Sequence, residues 1–259
     1  MKSAFNHHSG DTISIDGADI YFEEAGARSG PPLLCLHGGV GSLDDFGKLV
    51  PALADYRLIG IDSRGHGRST FGDAPLTYAR LEKDTERIVA ELALDSFSIL
   101  GFSDGGILGY RLASRMGARI QKLVTIGARW RMLESDPTRK TLGAMTGKKW
   151  LEKFPSAADR YAELNPGGNF DRLVSACVQM WLDLGPEGHP GEQVRGITAE
   201  TLVIRGDQDH LLALNEAVEL RSRLRHGQYF NVPAAGHAAH EDQPKLVQFA
   251  THEFLSKIH

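Results

Sequence analysis

The sequence predicts an α/β fold built on a mostly parallel, doubly wound sheet, and three observations carry that reading. Residues 33–36, 56–61, 97–100, 122–126 and 201–204 are short, nearly continuous apolar runs, as in strands buried on both faces. Segments with helical spacing alternate with them through the first half of the chain, the rhythm of βαβ units. One run turns abruptly through Gly101-Phe102-Ser103-Asp104-Gly105 into a helix-like segment at 107–116, so small residues flank the serine on both sides.

The elements follow in order. Residues 12–15 and 18–23 flank Asp16-Gly17, a turn signal that predicts an N-terminal hairpin. The strand at 33–36 runs into His37-Gly38-Gly39-Val40-Gly41. Residues 44–54 then predict a helix with Phe46, Leu49, Val50 and Leu53 on its apolar face. The strand at 56–61 ends at Asp62-Ser63-Arg64-Gly65-His66-Gly67-Arg68-Ser69. Residues 77–94 show helical spacing at Leu81, Thr85, Ile88, Val89 and Leu92, with Thr77 as the cap.

The rhythm breaks at 129–195. This stretch is helix-like, proline-punctuated and too long for a connection, and it holds all three tryptophans. It predicts a helical cap inserted before the strand at 201–204, with the core at 1–128 and 196–259. Most of its aromatics are expected in its own small core. Trp130 and Trp181 are the ones expected at a substrate pocket. After the insertion come a helix at 213–224, a strand at 228–232 and a closing helix at 244–258. That last helix is expected to turn Leu246, Val247, Phe249, Ala250, Phe254 and Leu255 inward.

Composition narrows the classes of function. With 259 residues, 41% hydrophobic and 24% charged, the chain suits one soluble domain with an insertion. A net charge of −4 argues against nucleic acid or an anionic membrane as partner. Apolar runs are too short to cross a bilayer, and residues 1–11 hold no apolar leader core. Two distant cysteines, Cys35 and Cys177, point to buried thiols in a reducing compartment, so cytoplasm is the expectation. No Cys/His cluster has metal-ligand spacing, and no cofactor or metal is expected. The expected partner is a small-molecule substrate, bound by a monomer or homodimer.

Four motifs in order now resemble the α/β-hydrolase family: the His37-Gly38-Gly39 turn, residues 62–69, the Gly101–Gly105 elbow, and Asp209 and His237 beyond the insertion. That resemblance implies a serine hydrolase with chain order serine, acid, histidine. Ser103 is then the nucleophile. His237, following Pro233 and Gly236, is the implied base, with His240 as the alternative. Asp209, three residues past Gly206, is the implied acid and Asp207 a turn residue. The oxyanion donors are implied to be the N–H groups of Asp104 and of Gly39, with Val40 as the alternative. Residues 62–69 look catalytic by composition, but the family uses such a segment as a rigid turn.

The Ser103-Asp104-Gly105-Gly106 run further resembles valacyclovir hydrolase-like esterases, which implies an acid that holds a substrate ammonium. The plainer reading is that Asp104 opens a helix and favours its N-terminus. Cleavage of a small carboxylic ester, thioester or amide through an acyl-enzyme is the leading expectation. Carbon–carbon bond hydrolysis of a diketone and a non-catalytic ligand-binding role are the alternatives.

Overall fold

A computed structural model describes residues 5–257. Its centre is an eight-stranded sheet: β1 (Asp11–Ile15), β2 (Ala18–Gly26), β3 (Pro32–Leu36), β4 (Arg57–Ile61), β5 (Phe97–Phe102), β6 (Ile120–Ile126), β7 (Glu200–Gly206) and β8 (Gly227–Val232), in spatial order β1-β2-β4-β3-β5-β6-β7-β8. β1 and β2 form the hairpin expected around Asp16-Gly17, and β2 pairs antiparallel with β4. From β4 to β8 every pairing is parallel.

The continuous apolar runs have a direct structural cause. Successive side chains of a strand point to opposite faces, so a strand covered on both sides needs apolar residues at every position. Leu34, Leu36, Ile59, Ile99 and Val203 pack on one face with α1 (Tyr78–Glu91) and α2 (Asp104–Met116). Leu33, Cys35, Leu58, Leu100, Val124 and Ile204 pack on the other. That face is covered by residues 43–54 and by α9 (Pro244–Ser256), which follows α7 (Leu214–Arg223) and the short α8 (Ala239–Asp242). Thr77 caps α1 as expected, its hydroxyl accepting from the Arg80 N–H. Between β6 and β7 lie α3 (Thr138–Gly143), α4 (Gly147–Lys153), α5 (Ala157–Leu164) and α6 (Phe170–Leu182), then a 3₁₀ segment at Gly191–Gly196.

Two local expectations are corrected. The helix expected at 44–54 is instead two 3₁₀ turns, Leu43–Phe46 and Val50–Leu53. Pro51 has no N–H to offer the Gly47 carbonyl and its ring would strike it, so an α-helix cannot run through. The apolar positions serve the same end, since Phe46, Leu49, Val50 and Leu53 are all buried. In the closing helix, Leu246 and Phe249 face outward, at 39% and 68% exposure. The buried stripe is Val247, Thr251, Phe254 and Leu255. Phe249 lies two residues from Val247, about 200° around the helix, and so emerges opposite the core. The end expected at 258 lies outside the described residues. Among the described residues no helix is long and apolar enough to cross a membrane.

The N-terminal approach is fastened by His7. Its ring is buried, with Nε2 3.1 Å from Asp62 Oδ2 and Nδ1 3.5 Å from Asp44 Oδ1. Burial opposes its charge, but the hydrogen bond and charge of Asp62, joined by Asp44, raise its pKa overall. A group raised above its unfolded value stabilises the fold fully below that value, about 6.5, and loses the contribution as pH climbs through the folded one. The urea midpoint gap between wild type and His7→Gln is therefore expected to be wider at pH 6 than at pH 9. A gap that is constant or widens with pH would contradict this account.

The turn from β5 to α2 leaves no room for side chains at its glycines. A Cβ on Gly105 would sit 1.8 Å from the Leu36 carbonyl oxygen, and one on Gly101 would sit 2.4 Å from the Gly105 oxygen. Both obstacles are backbone and cannot swing away. Gly105→Ala is expected to cost more than about 3 kcal/mol, a fall in Tm of roughly 6–12 °C for a chain of this size. Calorimetry checks it, and a fall within 2 °C would show that β3 gives way freely.

Candidate active site

The elbow sets the geometry of Ser103. Ser103 sits at φ 49° and ψ −115°, a region that a side chain adopts only under constraint. Its N–H donates to the Ile126 carbonyl at 2.8 Å, and its own carbonyl caps the first turn of α2 by accepting from Gly106 and Ile107. The side chain therefore stands at the carboxyl end of the sheet, where open α/β sheets place their ligand chemistry.

Two loops from neighbouring strand ends meet it. Asp209 follows β7 and His237 follows β8. Ser103 Oγ lies 2.9 Å from His237 Nε2, and His237 Nδ1 lies 3.1 Å from each oxygen of Asp209. Asp209 is itself held by the N–H groups of Leu211 and Leu212, at 2.8 and 3.1 Å on Oδ1. Burial opposes the charge of Asp209, but His237 and the two N–H groups outweigh it and hold the carboxyl below its ordinary value. With Nδ1–H donating to that carboxylate, Nε2 keeps the lone pair that faces the serine.

The residues weighed against these fall elsewhere. Asp207 accepts from the Ala235 N–H at 3.2 Å, a turn contact. His240 is buried edge-on against Phe102, with ring centroids 4.5 Å apart, and burial lowers its pKa to about 4. Within 62–69, Asp62 accepts from the N–H groups of Leu43 and Arg68, and Arg64 pairs with Asp84 and bonds the carbonyls of Ile15 and Phe71. His66 is buried beneath the insertion, with Nε2 3.4 Å from Cys177 Sγ. The segment is a rigid turn.

Gly39 faces the elbow at close range. A Cβ there would lie 2.3 Å from Asp104 Oδ2 and 2.8 Å from the Trp181 ring. The loop before it is pinned by the Gly38 N–H donating to Asp45 Oδ2 at 2.9 Å. His37 adds a second pin, bonding the Gly38 carbonyl through Nδ1 and accepting from the Ser63 N–H through Nε2. Burial pushes the Asp45 carboxyl up to about 7. Asp104 is buried and engaged on both oxygens, by the Tyr78 hydroxyl at 2.8 Å and by Trp181 Nε1 at 2.7 Å. Burial raises its pKa against the pull of those two donors.

A cavity of about 620 Å³ opens beside Ser103 and His237, walled on its far side by the insertion. Trp181 lines it, as expected. Trp130 does not: it is buried at the base of the insertion, sandwiched between the Arg131 and Arg223 guanidiniums, each 4.5 Å from its ring centroid. Trp150 takes the expected place, stacked 6.0 Å from Trp181 with Phe154 beside it at the wall. Tyr78 and His189 also line the cavity without having been singled out in the sequence. They come from α1 and from the return of the insertion, and no local motif marks their convergence.

Fold and matched sequence define the class. The chain belongs to the alpha/beta hydrolase fold family, whose model matches residues 31–175, more than half of the chain. It is a hydrolase of that fold. A Bacillus subtilis (strain 168) protein provisionally named 2-succinyl-6-hydroxy-2,4-cyclohexadiene-1-carboxylate synthase is 28% identical over 275 residues, spanning 95% of this chain and 98% of its own. The serine hydrolase BPHL of Mus musculus is 27% identical over 241 residues, spanning 88% of this chain and 80% of its own. Among solved structures, a hydrolase from Pseudomonas aeruginosa PA01 superposes with a TM-score of 0.77 at 23% identity, covering 97% of this chain and all of that one. That last likeness speaks to fold alone.

Proposed function

We propose that the chain is a serine hydrolase that cleaves a small-molecule carboxylic ester, or a related thioester or amide, through an acyl-enzyme. The observation that carries this is the hydrogen-bonded line from Ser103 Oγ through His237 to Asp209 at the wall of the cavity. His237 Nε2 takes the serine proton as Oγ attacks the carbonyl carbon, then delivers it to the leaving alcohol. Asp209 fixes the tautomer and balances the imidazolium. The N–H groups of Gly39 and Asp104 receive the developing oxyanion. Water repeats the sequence on the acyl-enzyme, with His237 again as base, and releases the acid.

The Asp104 carboxylate belongs to the framework in this reading. Its two bonded donors tie the elbow to α1 and α6 and engage both of its oxygens. The helices at 129–195 act as the cap, since they supply the cavity's apolar wall and fasten to the core through Asn165 to the Ser69 carbonyl and Arg160 to Asp44. The name of the mouse relative, a serine hydrolase, agrees with the chemistry.

Stopped-flow hydrolysis of p-nitrophenyl acetate, butyrate and hexanoate tests the proposal. A burst of nitrophenolate stoichiometric with enzyme is expected, followed by a slower steady rate. A folded protein that turns over no ester would overturn it and direct attention to carbon–carbon bond hydrolysis or ligand binding.

A further inference from the structure

The two residues assigned to the oxyanion, Gly39 and Asp104, meet at a single side chain of the insertion. Asp104 Oδ2 lies so close to Gly39 that a Cβ there would come within 2.3 Å of it. The Trp181 ring lies against the same point, 2.8 Å from that Cβ, and its Nε1–H donates to the same Oδ2 at 2.7 Å. One indole therefore bonds the side chain of one donor residue and packs on the backbone of the other. The acyl-transfer steps assign it no part.

Both partners of that indole are held firmly. A hydrogen bond to a carboxylate is shorter and stronger than one between neutral groups. Asp104 is buried, and its other oxygen accepts from the Tyr78 hydroxyl at 2.8 Å, so the carboxylate is fixed from two sides. Trp181 is fixed in turn by α6. Leu173, Cys177 and Trp181 recur at every fourth position of that helix and are all buried, one stripe turned to the core. Cys177 Sγ rests 3.4 Å from His66 Nε2 in the rigid turn after β4, and Trp150 stacks on the indole at 6.0 Å.

The loop that carries Gly39 needs such support. Val40, the next residue, holds φ 60°, a region that a β-branched side chain adopts only under constraint. The Gly41 N–H closes the turn on the Gly38 carbonyl at 3.1 Å. A strained turn persists only where its surroundings over-determine it. At Gly39 those surroundings are the Asp104 carboxylate and the Trp181 ring.

We infer that Trp181 is a positioning residue: through the Asp104 carboxylate and against Gly39 it holds the two oxyanion N–H groups in place, so the insertion completes the catalytic geometry as well as the cavity wall. The inference rests on the reading of Ser103 as the nucleophile and of Gly39 and Asp104 as the oxyanion donors. Displaced donors slow acylation without weakening the binding of the ester, because they act where charge develops. A residue that is only wall behaves otherwise, since its loss scales with the acyl surface it covers.

Trp181→Phe keeps an aromatic ring and removes the N–H. Stopped-flow bursts on p-nitrophenyl acetate, butyrate and hexanoate separate the acylation rate constant from the dissociation constant of each ester. The rate constant is expected to fall about tenfold or more, by one common factor for all three esters. The dissociation constant of the acetate is expected to stay within twofold of wild type. Incorporation of 3-benzothienylalanine at position 181 keeps the outline of the indole and lacks the N–H, and it is expected to slow acylation in the same uniform way. In an Asp104→Ala background, which keeps the backbone N–H, Trp181→Phe is expected to cost less than twofold further, because the carboxylate it acts through is gone. An unchanged rate with the benzothienyl side chain, a loss that grows with acyl length, or a full Trp181→Phe loss in the Asp104→Ala background would overturn the inference. Ester hydrolysis by Ser103→Ala at the wild-type rate would instead defeat the nucleophile reading, with position 181 untouched.

Discussion

Ser103→Ala is expected to lower kcat on p-nitrophenyl esters by about 10⁴–10⁶-fold and to abolish the burst, with the protein still folded. The size follows from the way the three groups act as a unit. Without Oγ no covalent intermediate forms, and His237 has no proton to take. What remains is the field of the Gly39 and Asp104 N–H groups and the binding of the acyl chain, which alone sustain a small rate above water. His237→Ala should fall in the same range, and the double variant should be little worse than either single one, because removing one member already disables the others. Steady-state rates of the two single variants and the double variant check this. Losses that multiply would mean that Ser103 and His237 do separate work.

The second large effect is expected at Asp209. Replacing it with asparagine keeps shape and volume but inverts one partner. The N–H groups of Leu211 and Leu212 both point at Oδ1, which selects the amide oxygen for that position. The amide nitrogen then faces His237 Nδ1, at the site where the carboxylate lies 3.1 Å away. A donor there pairs only with a bare Nδ1, which moves the ring proton to Nε2. That nitrogen, 2.9 Å from Ser103 Oγ, would then offer a proton where the reaction needs a lone pair. A fall in kcat of about 10⁴ follows, with the thermal transition still cooperative. A loss under tenfold would show that the tautomer of His237 is set by something other than Asp209.

The sheet was legible because strands buried on both faces leave an uninterrupted apolar signature, as at Leu33–Leu36 and Leu202–Ile204. Ser103, Asp209 and His237 were legible for a related reason. Ser103 and Asp209 follow such runs and His237 follows the edge strand β8, so the topology that gathers the strand ends also gathers the residues that follow them. Residues 44–54 misled because spacing reported burial correctly while Pro51 decided which helix could form. Phe249 misled because an apolar residue near an amphipathic stripe reads as part of it, although its angle places it outside.

The pocket was the least legible part. Trp130 and Trp181 look alike in sequence, yet one is clamped between Arg131 and Arg223 and the other bonds Asp104 at the cavity wall. Arg223 lies in α7, far along the chain, so nothing local to Trp130 reveals the clamp. The same holds for Tyr78 and His189, which meet only once the insertion has closed over α1. The cavity wall is built from residues whose neighbours are chosen by tertiary packing.

The central claim is that Ser103 Oγ forms the covalent bond. A fluorophosphonate, which phosphonylates an activated serine and stops there, measures that directly. Incubation of the wild-type protein followed by intact-mass analysis and peptide mapping is expected to show one adduct, on the peptide that carries Ser103, and none on Ser103→Ala. An adduct on another residue, or turnover of esters by a protein that never takes up the label, would contradict the account.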